Sequence, residues 1–153
     1  MNTVNIGDIG EAVAIFKFTC SGFVVSKPLS NNCRYDLIVE YNNKLYKIQV
    51  KTTSNVKDDV MVFATKTTNY TKGTWSSNNY TKQDIDAFFL YCEENQWCGL
   101  YFGEEDSSFN KNLNIRIAPT KTGRTKGIRF ADEYSFEKQI EKLFNLSNQG
   151  SNP

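Results

Sequence analysis

The sequence contains no histidine. This absence excludes Ser-His and Cys-His nucleophile pairs, and it removes histidine as a general base. No two of the four cysteines form a CxxC pair, so a zinc site is also unexpected. Acid–base and metal chemistry must therefore use Asp, Glu, Lys, Tyr and backbone groups, whose oxygen atoms suit a hard cation such as magnesium.

Long apolar runs and export signals are missing as well. No apolar stretch is long enough to span a bilayer, and the N-terminus lacks basic residues followed by an apolar block. We therefore expect a cytoplasmic protein with no membrane partner. In that compartment Cys20, Cys33, Cys92 and Cys98 are expected to be free, buried thiols.

A strong net charge is also absent, because the formal charge is only +1. Any basic surface must come from an uneven distribution of charge. Residues 107–131 contain six basic residues and no acid, and the polar, aromatic segment 65–82 adds three lysines. One interpretation is a solvated loop that happens to lack acids. We favour a positive DNA-binding face formed by Lys66, Lys72, Trp75, Tyr80, Lys82, Arg116, Lys121, Arg124, Lys126 and Arg129.

The length of 153 residues and the 39% share of hydrophobic residues indicate one globular domain with a real core. We predict an α/β fold with a mixed β-sheet flanked by helices. The predicted domain covers residues 1–146, with an extended DNA-binding loop or ribbon inserted at about 65–82. Residues 147–153 are predicted to be a flexible tail.

Helical spacing marks both ends of the domain. Residues 7–20 are predicted to form a helix, and another helix is predicted to begin near Ser135. Strands are predicted at 23–26, 35–41, 44–51, 58–64, 86–91, 97–102 and 113–118. The first helix has an apolar stripe at Ile9, Val13, Phe16 and Cys20.

The most informative segment is a predicted hairpin of residues 35–41 and 44–51 joined by Asn42-Asn43. With that turn Asp36 lies opposite Gln49, and directly opposed side chains share one face of a sheet. Lys51 is two residues beyond Gln49, so it lies on the same face. The register therefore predicts a cluster of carboxylate, amide and ammonium, which is the composition of a metal-dependent phosphodiesterase site.

Two features of this region have ordinary alternatives. Polar residues are common on the solvated face of a hairpin, although Ile38 shares this face and Asp is disfavoured within strands. Glu11 on the first helix could be a solvent-facing residue favoured by the helix dipole, or it could be a further metal or water ligand. Gly7 and Gly10 beside it would let DNA or another backbone approach closely.

Asp36, the triplet Gln49-Val50-Lys51 and Glu11 on a preceding helix resemble the PD-(D/E)XK nuclease superfamily. The whole chain looks like the bacterial group I intron-encoded homing endonucleases that have this fold. It departs from the motif at Gln49, which replaces the second acid, and at Arg34-Tyr35, which replace the proline. A glutamine in the triplet is tolerated in those enzymes.

The resemblance implies a bacterial endonuclease with Glu11, Asp36, Gln49 and Lys51 as catalytic residues. Asp36, the Val50 carbonyl and Glu11 would bind Mg²⁺ or Mn²⁺, and Gln49 would offer a neutral amide oxygen. Lys51 would orient or deprotonate the attacking water, or stabilise charge on the phosphorane. No small-molecule cofactor is implied.

The substrate implied is a double-stranded DNA target site. Each specified base pair adds only about 1–3 kcal/mol of discrimination, so two copies on a pseudo-palindrome are expected. A homo-oligomer is therefore predicted, either a dimer or a tetramer. The alternatives are a Holliday-junction resolvase or restriction-type nuclease, a DNA-binding protein with a degraded nuclease site, and an RNA-binding module that stacks bases on aromatic residues.

Overall fold

A computed structural model describes residues 3–103, 109 and 112–149. Its described elements are, in chain order, α1 (Thr3–Cys20), β1 (Val24–Ser26), β2 (Leu37–Tyr41), β3 (Lys44–Thr53), β4 (Val56–Lys57), β5 (Val60–Ala64), β6 (Lys66–Thr71), β7 (Thr74–Asn79), β8 (Ala87–Cys92), β9 (Trp97–Tyr101), β10 (Asn112–Arg116) and α2 (Phe136–Gln149). Neither helix is both long and apolar enough to cross a lipid bilayer, as far as the described residues show.

The central sheet has five strands in the order β1-β2-β3-β8-β9. Strands β3 and β8 are parallel, and the other neighbouring pairs are antiparallel. The predicted mixed sheet is therefore confirmed. Because two parallel neighbours cannot be joined by a tight turn, a long crossover is needed, and here it consists of β4 to β7.

Each face of the central sheet is covered by a different layer. Both helices pack on one face, where Phe18 of α1 and Phe136 of α2 contact Phe89 of β8. A second sheet, with the order β10-β5-β4, packs on the other face against Phe88 and Leu90. Strand β8 is buried on both sides, which explains its run of apolar residues.

The buried face of α1 agrees with the predicted stripe only in part. Ile9 and Val13 pack against the core, whereas Phe16 is 66% exposed and Cys20 is also exposed. The most buried positions are Gly10, Ala14 and Phe18, so the contact surface of α1 combines one large residue with two small ones. A glycine and an alanine let the helix backbone approach the sheet closely.

Other predictions are refined by the structure. The segment 65–82 is a ribbon made of β6 and β7, and a second hairpin, β4–β5, was not predicted. Helix α2 continues through Gln149, past the expected boundary at residue 146, and 150–153 lie outside the described residues. All four cysteines are free, but only Cys92 and Cys98 are buried.

Candidate active site

The turn between β2 and β3 sets the register of the site. Asn42 and Asn43 both have positive φ, 49° and 60°, as a two-residue type I′ turn requires. Tyr41 pairs with Lys44, and the ladder continues to the last paired residues of β2 and β3, Leu37 and Ile48. The predicted register is therefore confirmed, and Asp36 follows one position beyond the ladder, beside Gln49.

The Asp36 carboxylate is fixed by two donors from β3. Its Oδ2 atom accepts hydrogen bonds from the Val50 backbone N–H at 2.7 Å and from the Gln49 Nε2 at 2.5 Å. The Asp36 N–H in turn donates to the Ile48 carbonyl at 2.9 Å. Among the described residues, no hydrogen bond to Oδ1 of Asp36 occurs, so that oxygen stays available to a ligand.

Helix α1 brings Glu11 to the same place because Gly10 lies directly on β3. A Cβ atom at position 10 would lie 2.0 Å from Thr52 Oγ1 and 3.3 Å from Thr52 Cβ. The close neighbour of Gly10 is therefore the Thr52 side chain and not another backbone as predicted, whereas Gly7 has nothing within 4 Å of its Cβ position. Glu11 Oε2 pairs with Lys27 Nζ at 2.6 Å.

These side chains line one cavity of about 410 Å³. Glu11, Asp36, Gln49, Val50 and Lys51 line this cavity together with the end of β3 and the residues that follow it. All five residues predicted from the sequence to form the catalytic and metal site are thus brought together. Their proximity is a structural fact, and their chemical roles are considered under the proposed function.

Electrostatics in the cavity oppose full ionisation. Burial raises the pKa of Asp36, and the charge of Glu11 raises it further, whereas the Val50 N–H, Lys51 and Gln49 lower it. Burial lowers the pKa of Lys51, and the Asp36 carboxylate partly reverses that effect. Both groups are therefore closer to giving up their charge than exposed groups of the same type.

Tyr80 lies next to Lys51 and was predicted instead to contact DNA. The residue is 2% exposed, and its ring is 5.2 Å from that of Phe88 in an edge-to-face contact. The Lys51 Nζ lies over the ring at 5.3 Å from its centroid, and the Arg34 guanidinium lies over it at 4.8 Å. Burial and the nearby Asp36 carboxylate raise the pKa of Tyr80 to about 12. Burial therefore removes Tyr80 from the candidate DNA contacts.

Arg34 and Asp84 lie near Tyr80, and the sequence did not single out either of them as a site residue. The Arg34 Nη2 donates to the Asn79 carbonyl at 3.0 Å, and its Nη1 pairs with Asp84 at 3.4 Å. Asp84 also accepts hydrogen bonds from the N–H and hydroxyl of Thr81, and these bonds close the turn between the two residues. The only sequence signal for Arg34 was its place near the expected proline.

The donor set of the cavity fits a hard divalent cation. The amide nitrogen of Gln49 lies 2.5 Å from Asp36 Oδ2 and 3.4 Å from the Val50 carbonyl, so a partial positive charge already lies between these two oxygens. Carboxylate, carbonyl and amide oxygens are the ligands that Mg²⁺ and Mn²⁺ prefer. Within the described residues no group of three His, Cys, Asp or Glu side chains is arranged so that it could hold a metal ion.

The residues predicted to contact DNA differ in how far their side chains are exposed to solvent. Trp75 is 70% exposed on the ribbon. Arg116 and Arg129 are half-buried and line a cavity of about 280 Å³. Lys82 is exposed, but its ammonium donates to the Phe102 carbonyl and lies over the Phe109 ring. The remaining predicted contacts are all exposed: Lys66, Lys72, Lys121, Arg124 and Lys126.

The cavity, which carries two acids and a lysine, lies at the open end of the β2–β3 hairpin in the mixed sheet. The family model described as PD-(D/E)XK endonuclease matches residues 1–137. The chain belongs to this family, and the fold and family predicted from the sequence are thereby confirmed.

The structure is similar to that of a bacterial homing endonuclease, I-Ssp6803I, with a TM-score of 0.73. The two chains are 24% identical, and the alignment covers 99% of this chain and 100% of the other. At this level of identity the likeness shows a shared fold. Among curated proteins, nothing matches the sequence significantly.

Proposed function

We propose that this protein is a site-specific double-strand DNA endonuclease of the intron-homing type that hydrolyses phosphodiester bonds. The observation that supports this most strongly is the convergence of Glu11, Asp36, Gln49, Val50 and Lys51 in one cavity. Membership of the PD-(D/E)XK endonuclease family and the fold shared with a homing endonuclease agree with the proposal.

Asp36, Glu11 and the Val50 carbonyl would hold Mg²⁺ or Mn²⁺, with the Gln49 amide oxygen as a neutral ligand. When bound, the cation would polarise the scissile phosphate and lower the pKa of a water molecule. Gln49 currently presents its nitrogen to Asp36, so its amide must rotate to offer oxygen. Glu11 pairs with Lys27 through Oε2, so Oε1 would be the oxygen that it offers to the cation.

Lys51 lines the same cavity, where it would act on the attacking water or on the phosphate. Burial lowers its pKa, which increases the fraction of neutral amine able to accept a proton from water. The Asp36 carboxylate opposes this and favours an ammonium that stabilises negative charge on the phosphate. Either role requires the Nζ atom to stay in this cavity.

The β6–β7 ribbon and the basic segment 116–129 would bind the duplex. A two-stranded ribbon fits the major groove, where side chains can reach base edges. The exposed residues Lys66, Lys72 and Trp75 extend along the ribbon, and Lys121, Arg124 and Lys126 would contact phosphates. The half-buried Arg116 and Arg129 would contribute from the base of that segment.

Recognition of a rare site by so small a domain calls for more than one copy. We therefore propose a homo-oligomer, either a dimer or a tetramer, that places two cavities on opposite strands. Light scattering of the free protein and of the DNA complex would give the number of subunits. A cytoplasmic location in a bacterium stays a prediction.

The direct experiment is to incubate the protein with a library of randomised duplexes and Mg²⁺, and then to sequence the cut ends. We expect ends that share one extended sequence, and none when EDTA replaces Mg²⁺. A four-way DNA junction is assayed in parallel. A junction resolvase would cleave this junction whatever its sequence, because it recognises shape. Tight binding of duplexes without any cut ends would instead support a DNA-binding protein with a degraded site, as Gln49 first suggested.

A further inference from the structure

Tyr80 occupies a position that neither the family nor the DNA-binding surface explains. It follows β7 directly, so it lies where the exposed ribbon returns to the core. Its side chain is almost fully buried, yet two cations, Lys51 and Arg34, lie over its ring. A buried ring attracts cations through its quadrupole more strongly when water is excluded.

The environment of Tyr80 is rigid. Its ring packs edge-to-face on Phe88, its carbonyl accepts a hydrogen bond from the Phe109 N–H at 3.0 Å, and the preceding carbonyl, of Asn79, is held by Arg34. The next residue, Thr81, is fixed by Asp84, which also pairs with Arg34. The ring therefore has little freedom to move, whereas a lysine side chain on its own has many rotamers.

We propose that Tyr80 is a positioning residue that holds the Lys51 ammonium in the cavity through its ring, with Arg34 and Phe88 fixing that ring. The inference rests on the proposed nuclease function and adds a residue to it. Tyr80 acts through Lys51 and contacts neither DNA nor the reacting phosphate. It also joins the base of the DNA-binding ribbon to the catalytic lysine.

The test compares two substitutions at one position. Tyr80→Leu removes the ring and Tyr80→Phe keeps it. Because small displacements of a catalytic group have large effects on rate, we expect Tyr80→Leu to lower the single-turnover cleavage rate at saturating DNA roughly 100-fold. Affinity for the duplex should not change, and Tyr80→Phe should restore most of the rate.

Loss of packing needs its own control. Phe63→Leu removes a fully buried ring from the same cluster, one that contacts Trp97 and is not part of the Tyr80–Lys51 contact. It should lower thermal stability at least as much as Tyr80→Leu without the same loss of rate. In a Lys51→Ala background, Tyr80→Leu should have no further effect on the rate, because the residue it positions is gone.

A readout that needs no cleavage separates this inference from the proposed function. In NMR spectra the Lys51 ε-methylene protons, assigned by their loss in Lys51→Ala, should be shifted upfield by the ring current in the wild type and in Tyr80→Phe. The shift should vanish in Tyr80→Leu. If the wild type cleaves DNA and Tyr80→Leu cleaves it at the same rate, the inference is overturned. It is also overturned if the Lys51 protons of the wild type show no ring-current shift. A wild type that shows the shift but cleaves no DNA would overturn the proposed function alone.

Discussion

Gly10 of α1 and Thr52 of β3 are so close that a Cβ atom at position 10 would lie 2.0 Å from the threonine hydroxyl oxygen. This contact sets the distance between helix and sheet, and it therefore sets where Glu11 enters the cavity. The site depends on a residue that has no side chain. The neighbouring Gly7 lies on the same helix without any such contact, so the two glycines make a matched pair.

Gly10→Ala and Gly7→Ala are expected to change stability in opposite directions. The added methyl group at position 10 overlaps Thr52, and overpacking of this kind costs about 1–3 kcal/mol. At position 7 there is open space, so alanine should stabilise the helix by about 1 kcal/mol. Urea unfolding of both variants measures this. Equal effects at the two positions would show that α1 does not pack as closely as described.

Gln49→Glu restores the acid of the family motif and tests the cation site. The new carboxylate would lie against Asp36 Oδ2, where Gln49 now donates a hydrogen bond at 2.5 Å. Without divalent ions, we expect a loss of roughly 1–3 kcal/mol of stability, because a donor is lost and like charges meet.

In Mg²⁺ or Mn²⁺ the Gln49→Glu variant should bind the ion more tightly than the wild type, as measured by isothermal titration calorimetry. Gln83→Glu, which adds the same charge at an exposed position, is the control. If the two variants bind the ion with the same affinity, Gln49 does not lie at the cation site.

The titration of Asp36 gives a prediction on pH. Burial raises the pKa of Asp36 above its ordinary value of 3.8, so the folded protein holds this proton more tightly than the unfolded chain. The contribution of this bound proton to the unfolding free energy is fully present below pH 3.8, and it is lost as the pH rises through the folded-state pKa of Asp36. The Asp36→Asn variant has no ionisable group at this position, so its unfolding free energy lacks this dependence on pH.

We therefore expect the unfolding free energy of the wild type, relative to Asp36→Asn, to decrease as pH rises above 3.8. The measurement is urea unfolding of both proteins in EDTA at a series of pH values. A difference that instead grows in favour of the wild type would mean that the hydrogen bonds from Val50 and Gln49 outweigh the effect of burial.

The basic segment 116–129 should determine how DNA binding depends on salt. A phosphate contact releases counterions, so Lys126→Ala should reduce the slope of log affinity against log salt by about 1. Lys142→Ala removes the same charge from an exposed position on α2 and should leave the slope unchanged. Fluorescence anisotropy on one duplex at several salt concentrations compares the two. If the two variants give the same slope, the duplex does not contact Lys126.

Local sequence rules predicted the site well, since a two-residue turn fixes every later pairing in a hairpin. Asn42-Asn43 therefore located Asp36 beside Gln49 without any knowledge of the rest of the chain. The same rule could have found the β4–β5 hairpin, whose turn residues, Asp58 and Asp59, also have positive φ. The acid pair was interpreted as the start of a strand instead.

Packing between elements that are distant in the sequence could not be predicted from such local rules. Phe16 was assigned to the buried face of α1 because it is large and apolar, but the position of the helix is set by Gly10 against Thr52. Tyr80 is embedded in a polar segment, so its burial follows only from the way the central sheet, the second sheet and the ribbon meet. Hydrophobic patterns along one element do not contain that information.

The most direct test of the account is the cleavage rate of Lys51→Ala on a duplex that the wild type cuts. General acid–base or electrostatic help from one side chain is worth roughly 100-fold or more, so the single-turnover rate should fall by at least that factor while affinity for the duplex persists. Lys57→Ala, at an exposed position in β4, should cleave like the wild type. Cleavage by Lys51→Ala at the wild-type rate would contradict the assignment of this cavity as the active site.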